Sequence, residues 1–142
     1  MDFFGLLFDN SSLPVLGDVM AFTEQRQAVL ADDVANSNTP FFRQRDLPVD
    51  EFTTALDEAI QHRDVTSPHR YQPRSTRNVS FNPRLSVKTQ EIGGLMNYYD
   101  GADRSLEHIQ NELLKNAIMH ETAARLFSHQ SQMLTVAIQE RV

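Results

Sequence analysis

A helical periodicity of about 35 residues, from Asp103 to Glu140, is the feature that most restricts the fold of this 142-residue chain. Its apolar stripe recurs at steps of three and four residues, through Leu106, Ile109, Leu113, Ala117, His120, Ala124, Phe127, Ser131, Leu134 and Ile138. Four further apolar residues widen the stripe: Leu114, Ile118, Leu126 and Met133. Such a helix would be roughly 50 Å long, beyond the usual length in a small compact domain. The sequence therefore predicts an elongated molecule.

A second helical stripe lies near the N-terminus, between Leu13 and Val34. It follows alternating steps of three and four residues, as in a coiled coil, through Leu13, Leu16, Met20, Thr23, Gln27, Leu30 and Val34. Val15, Val19, Phe22 and Val29 lie beside it, so the apolar face is wide enough for several neighbours. Ser11 or Ser12 can cap the start, Pro14 is tolerated in the first turn, and the segment from Asn36 to Pro40 ends the helix.

The middle of the chain is predicted to contain a short helix and a mobile insert. Asp50 can cap a helix in which Phe52, Leu56 and Ile60 lie four residues apart. The stretch from His62 to Gln90 contains three prolines and many polar residues, a composition that buries too little apolar area to become ordered alone. Brief extended pieces are predicted at Val79, Phe81, Leu85 and Val87, and a hinge at Gly93-Gly94.

The predicted fold is mainly α, with a coiled-coil-like pair of long terminal helices, a short helix and a flexible, partly extended insert. Four segments follow from this interpretation: an N-terminal assembly helix (1–40), a connector with the short helix (41–60), a mobile basic insert (61–102) and a C-terminal assembly helix (103–142). We expect the two terminal helices to pack antiparallel or side by side.

Charge is unevenly distributed along the chain, whose net charge is −6. From Gln61 to Gly94, six basic residues against two acidic ones give a net charge of +4. This basic centre is either a solvated loop or a surface that packs on the acidic ends of a neighbour. Tyr71 and Phe81 among the arginines superficially resemble a surface for single-stranded nucleic acid. The acidic helices would repel a polyanion, so no nucleic-acid partner is expected.

Residue patterns that support catalysis or metal binding are missing from the sequence. There is no cysteine, which excludes disulfides and thiolate zinc sites. His120-Glu121 lacks the second histidine of the zinc-protease helix motif, and neither His108 nor His129 lies four residues from His120. Adjacent carboxylates such as Asp32-Asp33 and Asp57-Glu58 point about 100° apart on a helix and rarely converge on one substrate. The sequence predicts no catalytic, cofactor or metal site, no enzymatic activity and no small-molecule substrate.

The sequence shows neither a typical secretory signal nor a typical membrane-spanning segment. The segment from Met1 to Phe8 is apolar but short, contains Asp2 and lacks a basic leading region, so we expect no cleaved secretory signal. No uninterrupted apolar run reaches about 18 residues, the length that a membrane-spanning helix requires. These features predict a soluble or peripheral protein.

A short motif at the end of the first stripe resembles the ANxNTP signature of bacterial flagellar axial proteins. It comprises Ala35, Asn36, Asn38, Thr39 and Pro40. The C-terminal stripe is similar to the last helix of FlgB-type rod proteins at Leu106-Glu107, Lys115-Asn116, Met133-Leu134 and Ala137-Ile138. Together the two ends cover about half the chain. Three positions depart from the family pattern: Phe41 replaces a glycine, Asp33 an asparagine, and Gly101-Ala102-Asp103 a GNN-like turn.

This resemblance implies a structural subunit of the proximal rod in the flagellar basal body, exported from the cytoplasm by the flagellar type III apparatus. Such a subunit would join a helical assembly that spans the periplasm and transmits torque, with itself, other rod subunits, the export apparatus and the basal-body base as partners. The predicted assembly seam comprises Leu16, Met20, Leu30, Val34, Leu106, Leu113, Phe127, Leu134 and Ile138. Phe41 should favour an extended exit from the first helix, or pack on the helix pair.

A soluble helical regulator or chaperone-like adaptor remains the alternative, since a closed dimer could bury the same amphipathic helices. Composition alone does not distinguish the two classes.

Overall fold

A computed structural model describes residues 12–65, 71–92 and 106–139 of the chain. Within these ranges the protein is mainly α-helical. The helices are α1 (Leu13–Ala35), α2 (Val49–Val65) and α3 (Leu106–Gln139), and the strands are β1 (Arg45–Asp46), β2 (Val79–Ser80), β3 (Ser86–Val87) and β4 (Gln90–Glu91). The prediction of two long terminal helices and a shorter one between them is confirmed. The predicted hinge at Gly93-Gly94 and the turn at residues 101–103 lie outside the described residues.

The ends of α1 agree with the sequence signals in part. Ser12 occupies the N-cap position and its carbonyl accepts the Leu16 N–H at 3.0 Å, but its side chain makes no capping hydrogen bond. At the other end the Asn36 amide Nδ2 donates to the Asp32 carbonyl at 2.9 Å, as the motif predicts. The Asn36 carbonyl then accepts the Thr39 N–H at 2.8 Å, which closes a turn.

Phe41 contradicts the expected extended exit. Its φ is 61°, in the left-handed region that glycine adopts without strain, and its side chain is 78% exposed rather than packed on the helix pair. The backbone turn at this position therefore keeps the conformation expected for glycine, although the side chain disfavours it.

The core lies on one side of α1, where three aromatic rings from three segments meet. The rings of Phe22 in α1 and Phe52 in α2 stack at 4.0 Å between centroids, and Phe81 of the insert lies 6.1 Å from Phe52. Leu47, Ala55, Leu56, Val79 and Leu85 complete this buried cluster. Rings from α1, α2 and the insert thus fix the mutual position of these segments by burial of apolar area.

Two details of α2 differ from the prediction. Asp50 is not the N-cap, because the helix already includes Val49 and the Pro48 carbonyl accepts the Phe52 N–H at 3.1 Å. Asp50 instead lies in the first turn, where a carboxylate favours the positive end of the helix dipole. Ile60 is 40% exposed, so the buried stripe of α2 comprises Phe52, Ala55, Leu56 and Ala59.

The described part of the insert, residues 71–92, is packed on the helices rather than separate from them. Of its four predicted extended positions, Val79 and Val87 lie in β2 and β3, which pair antiparallel with Val79 opposite Val87, whereas Phe81 and Leu85 lie outside both strands. The second pair, β1 with β4, joins the insert to the segment after α1, with Arg45 opposite Glu91. Val79, Phe81 and Leu85 are buried in the core, and Gln25 of α1 donates to the Leu85 carbonyl at 2.9 Å. Composition underestimated the order because this segment buries its apolar residues against α1 and α2.

α3 packs along the opposite side of α1 in the antiparallel sense. Arg26 contacts Glu112, whereas Thr23 contacts Asn116 and His120, so residue numbers rise on one helix as they fall on the other. Ile109, Asn116 and Ala123 are the buried residues of α3, seven residues apart. This spacing is the heptad repeat of a coiled coil.

Candidate assembly surface

The interface between α1 and α3 contains a polar layer at the two polar positions of the predicted α1 stripe, Thr23 and Gln27. The Thr23 hydroxyl and His120 Nδ1 are hydrogen bonded at 2.8 Å. Asn116 Nδ2 donates to the Thr23 carbonyl at 2.9 Å and to Gln27 Oε1 at 3.0 Å. The interruptions in the seam are therefore matched by polar residues on the partner helix, which fixes the register of the pair.

Arg26 connects three segments of the chain beside this layer. Its guanidinium binds both carboxylate oxygens of Asp46 in β1 and donates to Glu112 of α3 at 2.6 Å. Arg26 itself is 6% exposed. Hydrogen bonding to Asp46 raises the pKa of Arg26, and bonds from Lys115 and then Arg26 lower the pKa of Glu112. The guanidinium thus remains charged and holds α1, β1 and α3 together.

Asp33 is a buried carboxylate near the C-terminal end of α1. Its Oδ2 accepts the Arg45 backbone N–H at 2.9 Å, and its Oδ1 has no hydrogen-bond partner among the described residues. Burial raises the pKa of Asp33 to about 6, and the Arg45 N–H bond offsets only part of this effect. An uncharged side chain at this position would avoid the desolvation of the carboxylate.

The predicted seam residues differ widely in how far the chain itself covers them. Leu30 is buried, whereas Leu16, Met20, Leu113 and Leu134 are half-buried. The other four are exposed: Val34 (36%), Leu106 (43%), Phe127 (36%) and Ile138 (42%). Within the single chain Leu134 is therefore covered only in part. α1 covers the middle of the α3 stripe and leaves the rest accessible.

The last third of α3 extends beyond its contact with α1. The antiparallel register places Leu13 level with about residue 127. At about 1.5 Å per residue, α3 therefore continues for about 18 Å past the start of α1. Large apolar side chains are exposed there. We call them the distal patch: Leu126, Phe127, Met133, Val136 and Ile138, each 36–57% exposed. At about 100° per residue they fall on two sides of α3, with Phe127 and Ile138 on the apolar stripe and Leu126, Met133 and Val136 beside it. Together they expose more apolar area than a single surface residue would, as interaction surfaces do.

A second apolar feature lies on the middle of α3, on the side turned away from α1. Leu114 and Ile118, four residues apart, are 61% and 57% exposed, and we call them the outer pair. A groove of about 460 Å³ opens between α1 and α3. Its lining includes Thr23, Gln27, Ala28, Ala31, Ala117 and His120. Three alanines among these residues give part of its wall a smooth apolar surface, and the rest of the lining is polar.

The residues considered for catalysis, metal binding or nucleic-acid binding have other contacts. Asp32 pairs with Arg45 at 2.8 Å, while His120 belongs to the polar layer. The described ranges contain no group of three or more histidine, aspartate or glutamate side chains able to hold a metal ion. Tyr71 donates to Asp18 at 2.8 Å and Phe81 is buried in the core, so neither ring is presented for base stacking.

Sequence reasoning missed three important polar residues of the helix interface: Arg26, Glu112 and Asn116. The signal that could have found Asn116 is its place in the heptad series of Ile109 and Ala123. A seven-residue repeat through these positions would have placed Asn116 at the helix interface. Arg26 and Glu112 give no such signal, because in the sequence they resemble ordinary solvent-exposed charges on a helix. Their pairing depends on β1 supplying Asp46 from another segment.

Comparison with known proteins gives no relationship: the chain matches no protein-family model and no curated protein sequence. Within the described segments, no helix is both long and apolar enough to cross a lipid bilayer.

Proposed function

We propose that this protein is a structural subunit of the proximal rod in the bacterial flagellar basal body, which polymerises through its terminal helices. The observation that carries the proposal is the distal patch on α3, where the apolar stripe continues past α1 and remains exposed in the single chain. A monomer gains nothing from extending a helix with such a face into water, whereas an assembly buries it against neighbours.

The motif at the end of α1 supports the same proposal. Asn36 ends the helix as the axial-protein signature suggests, and the turn places Phe41 in a glycine-like backbone conformation at the position where the family has glycine. A positive φ at this position gives a physical reason for the glycine of the signature, since glycine adopts it without strain. Export by the flagellar type III apparatus and placement in the periplasm-spanning rod follow from the proposed family, and other rod subunits are the expected partners.

The test uses Ile138→Asp with Gln132→Asp as a matched control. Both residues are exposed on α3, so neither change should unfold the chain, but only Ile138 belongs to the distal patch. A charge buried at an interface without a partner costs several kcal/mol. In cells that lack the native gene, Ile138→Asp should be exported but absent from basal bodies, and the cells should not swim. Gln132→Asp should restore swimming.

Normal swimming with Ile138→Asp would overturn the proposal. So would a purified wild-type chain that forms a closed dimer and stops there, because that behaviour belongs to the adaptor alternative.

A further inference from the structure

The side of α3 that packs on α1 continues past the start of α1. Beyond about residue 127, which is level with Leu13, it runs through Gln130 and Leu134, which are half-buried, to Ile138, which is exposed. These positions are three or four residues apart and so share one side of the helix. We call Phe127, Leu134 and Ile138 the distal line. Because the distal line is continuous with the contact to α1, the part of the chain that precedes α1 is placed to cover it.

An apolar segment precedes α1 in the sequence. Residues 1–11 lie outside the described residues, and we call residues 3–8 among them the N-terminal segment. Five of its six side chains are large and apolar: Phe3, Phe4, Leu6, Leu7 and Phe8. Exposure of such side chains to water is unfavourable, and burial against another apolar surface removes that cost. The N-terminal segment and the distal line therefore each lack an apolar partner surface among the described residues.

We infer that the N-terminal segment packs on the distal line of α3 in the same chain and extends the contact between the two ends of the chain to the last turns of α3. The inference does not depend on the proposed rod function. Leu126, Met133 and Val136 of the distal patch lie beside the distal line and are exposed. The contact therefore covers one side of α3 and leaves these three residues for neighbouring subunits.

The length of chain before α1 matches the length of α3 that lies past it. At about 1.5 Å per residue, Leu134 and Ile138 lie about 10 Å and about 17 Å past the level of Leu13. A helical N-terminal segment would lie about 8–15 Å from Leu13 in the same direction, and an extended one would reach further. Pro14 does not prevent this placement, because its ring excludes only a straight helix through Asn10 and permits a bend there. The segment therefore reaches the distal line in either conformation.

Connectivity favours the segment of the same chain over that of a second copy. Only residues 9–12 separate the N-terminal segment from Leu13. A linker this short holds the segment near the distal line at an effective concentration that is roughly millimolar. A second copy at micromolar concentration competes poorly with a segment held in this way. The contact should thus form in the monomer.

Introduced cysteine pairs test this contact directly, because the chain has no cysteine of its own. Leu6→Cys and Leu7→Cys are each combined with Leu134→Cys in the full chain and oxidised at micromolar concentration. At least one pair should form a disulfide within a single chain, seen as a faster-migrating monomer in non-reducing electrophoresis. In the control, Gln132→Cys replaces Leu134→Cys, because Gln132 is exposed and points about 200° away from Leu134 around α3. The control pairs should react at least tenfold more slowly. Equal rates for the two positions on α3, or dimers as the main product, would overturn the inference.

Amide hydrogen exchange tests the contact without cysteine. The double variant Leu6→Asp, Leu7→Asp should speed exchange in residues 130–139 at least tenfold, because charged side chains would release the segment from the distal line. Asn10→Asp lies outside the segment and should leave that exchange unchanged. Exchange that the double variant does not alter would also overturn the inference.

Met133→Asp separates this contact from the rod function, since Met133 belongs to the distal patch but lies beside the distal line. It should leave the disulfide to Leu134→Cys intact and should prevent swimming. A disulfide within the chain combined with normal swimming of Met133→Asp would reject the rod function alone. Absence of that disulfide combined with loss of swimming would reject the segment contact alone.

Discussion

The two sides of α1 contact the rest of the chain by different chemistry. Toward α2 and the insert, α1 presents Phe22, which stacks on Phe52 in a cluster of apolar side chains. Toward α3 it presents Thr23, Arg26 and Gln27, which bond to polar and charged groups. One helix therefore belongs to a conventional hydrophobic core and to a polar helix pair at the same time.

The two sides of α1 therefore have different roles: one stabilises the fold, and the other determines how α3 packs on α1. Burial of apolar area is strong and non-directional, so the core side can hold α1, α2 and residues 71–92 together. Net gains from hydrogen bonds are small, but an unmatched buried group is expensive, so the polar side selects one register for α3. We expect the core to set the unfolding free energy and the polar interface to set how α3 is placed.

The largest loss of unfolding free energy should come from truncating a residue of the hydrophobic core. Phe52→Ala removes the central ring of the three-ring cluster, and such a truncation costs about 3–5 kcal/mol. Urea unfolding followed by circular dichroism should show this loss of unfolding free energy. Ile60→Ala on the same helix is the control, because Ile60 is 40% exposed and its truncation should have a much smaller effect. Equal losses for the two variants would contradict the position of the core.

A somewhat smaller effect is expected at Arg26. Arg26→Met keeps much of the side-chain volume but leaves Asp46 and Glu112 without their shared cation, which should destabilise the protein by about 3 kcal/mol. The triple variant Arg26→Met, Asp46→Leu, Glu112→Leu should regain much of that loss, because replacing a whole buried ion cluster by apolar groups is often neutral. A triple variant no more stable than the single one would show that the charges stabilise the interface directly.

Asp33 allows a pH test at the end of α1. Its pKa of about 6 in the folded chain lies above the ordinary 3.8, so folding takes up a proton between these values. The resulting stabilisation is present below pH 3.8 and is lost as the pH rises through 6. Asp33→Asn should therefore be more stable than the wild type at pH 7, by about 2 kcal/mol.

Unfolding measurements at low pH test whether ionisation of Asp33 causes the stability difference between Asp33→Asn and the wild type. The advantage of Asp33→Asn should shrink at pH 4, where the wild-type carboxyl is protonated and Asn can accept the same Arg45 N–H. An advantage that is constant from pH 4 to pH 8 would rule out titration of Asp33 as its source.

Phe41 should give the smallest change, which like that of Asp33→Asn is a stabilisation. A side chain in the left-handed region costs about 1–2 kcal/mol, and part of the gain from Phe41→Gly is lost to the greater freedom of glycine when unfolded. We expect a net stabilisation of about 0.5–1 kcal/mol in thermal or urea unfolding. Phe42→Gly is the control and should destabilise, because Phe42 has no positive φ.

Local patterns predicted the helices well. The stripes from Leu13 and from Leu106 gave the two long helices within a few residues, because periodicity and a proline-containing stop act over short distances. The same patterns could not show that Phe81 packs on Phe52, since that contact depends on the path of the chain between α2 and β2. Tertiary burial therefore decided the order of the insert, against the indication of its composition.

Of the nine predicted seam residues, one is buried, four are half-buried and four are exposed in the single chain, and the sequence did not show which contacts they make. Thr23 and Gln27 are polar positions within the predicted α1 stripe, and only the antiparallel register shows that Asn116 and His120 lie opposite them. The exposure of Phe127 and Ile138 depends on where α1 begins relative to α3, which no spacing within either helix determines.

The heptad spacing of Ile109, Asn116 and Ala123 has a mechanical consequence. Because 3.6 residues per turn do not divide into seven, helices that keep contact through a strict seven-residue repeat wind around each other with a left-handed supercoil. A wound pair responds unequally to torsion: twisting in the sense of its winding presses the helices together, and twisting in the opposite sense separates them. In the rotating assembly that we propose, one direction of rotation would tighten every such helix pair, and reversal would load the hydrogen bonds of the polar layer instead.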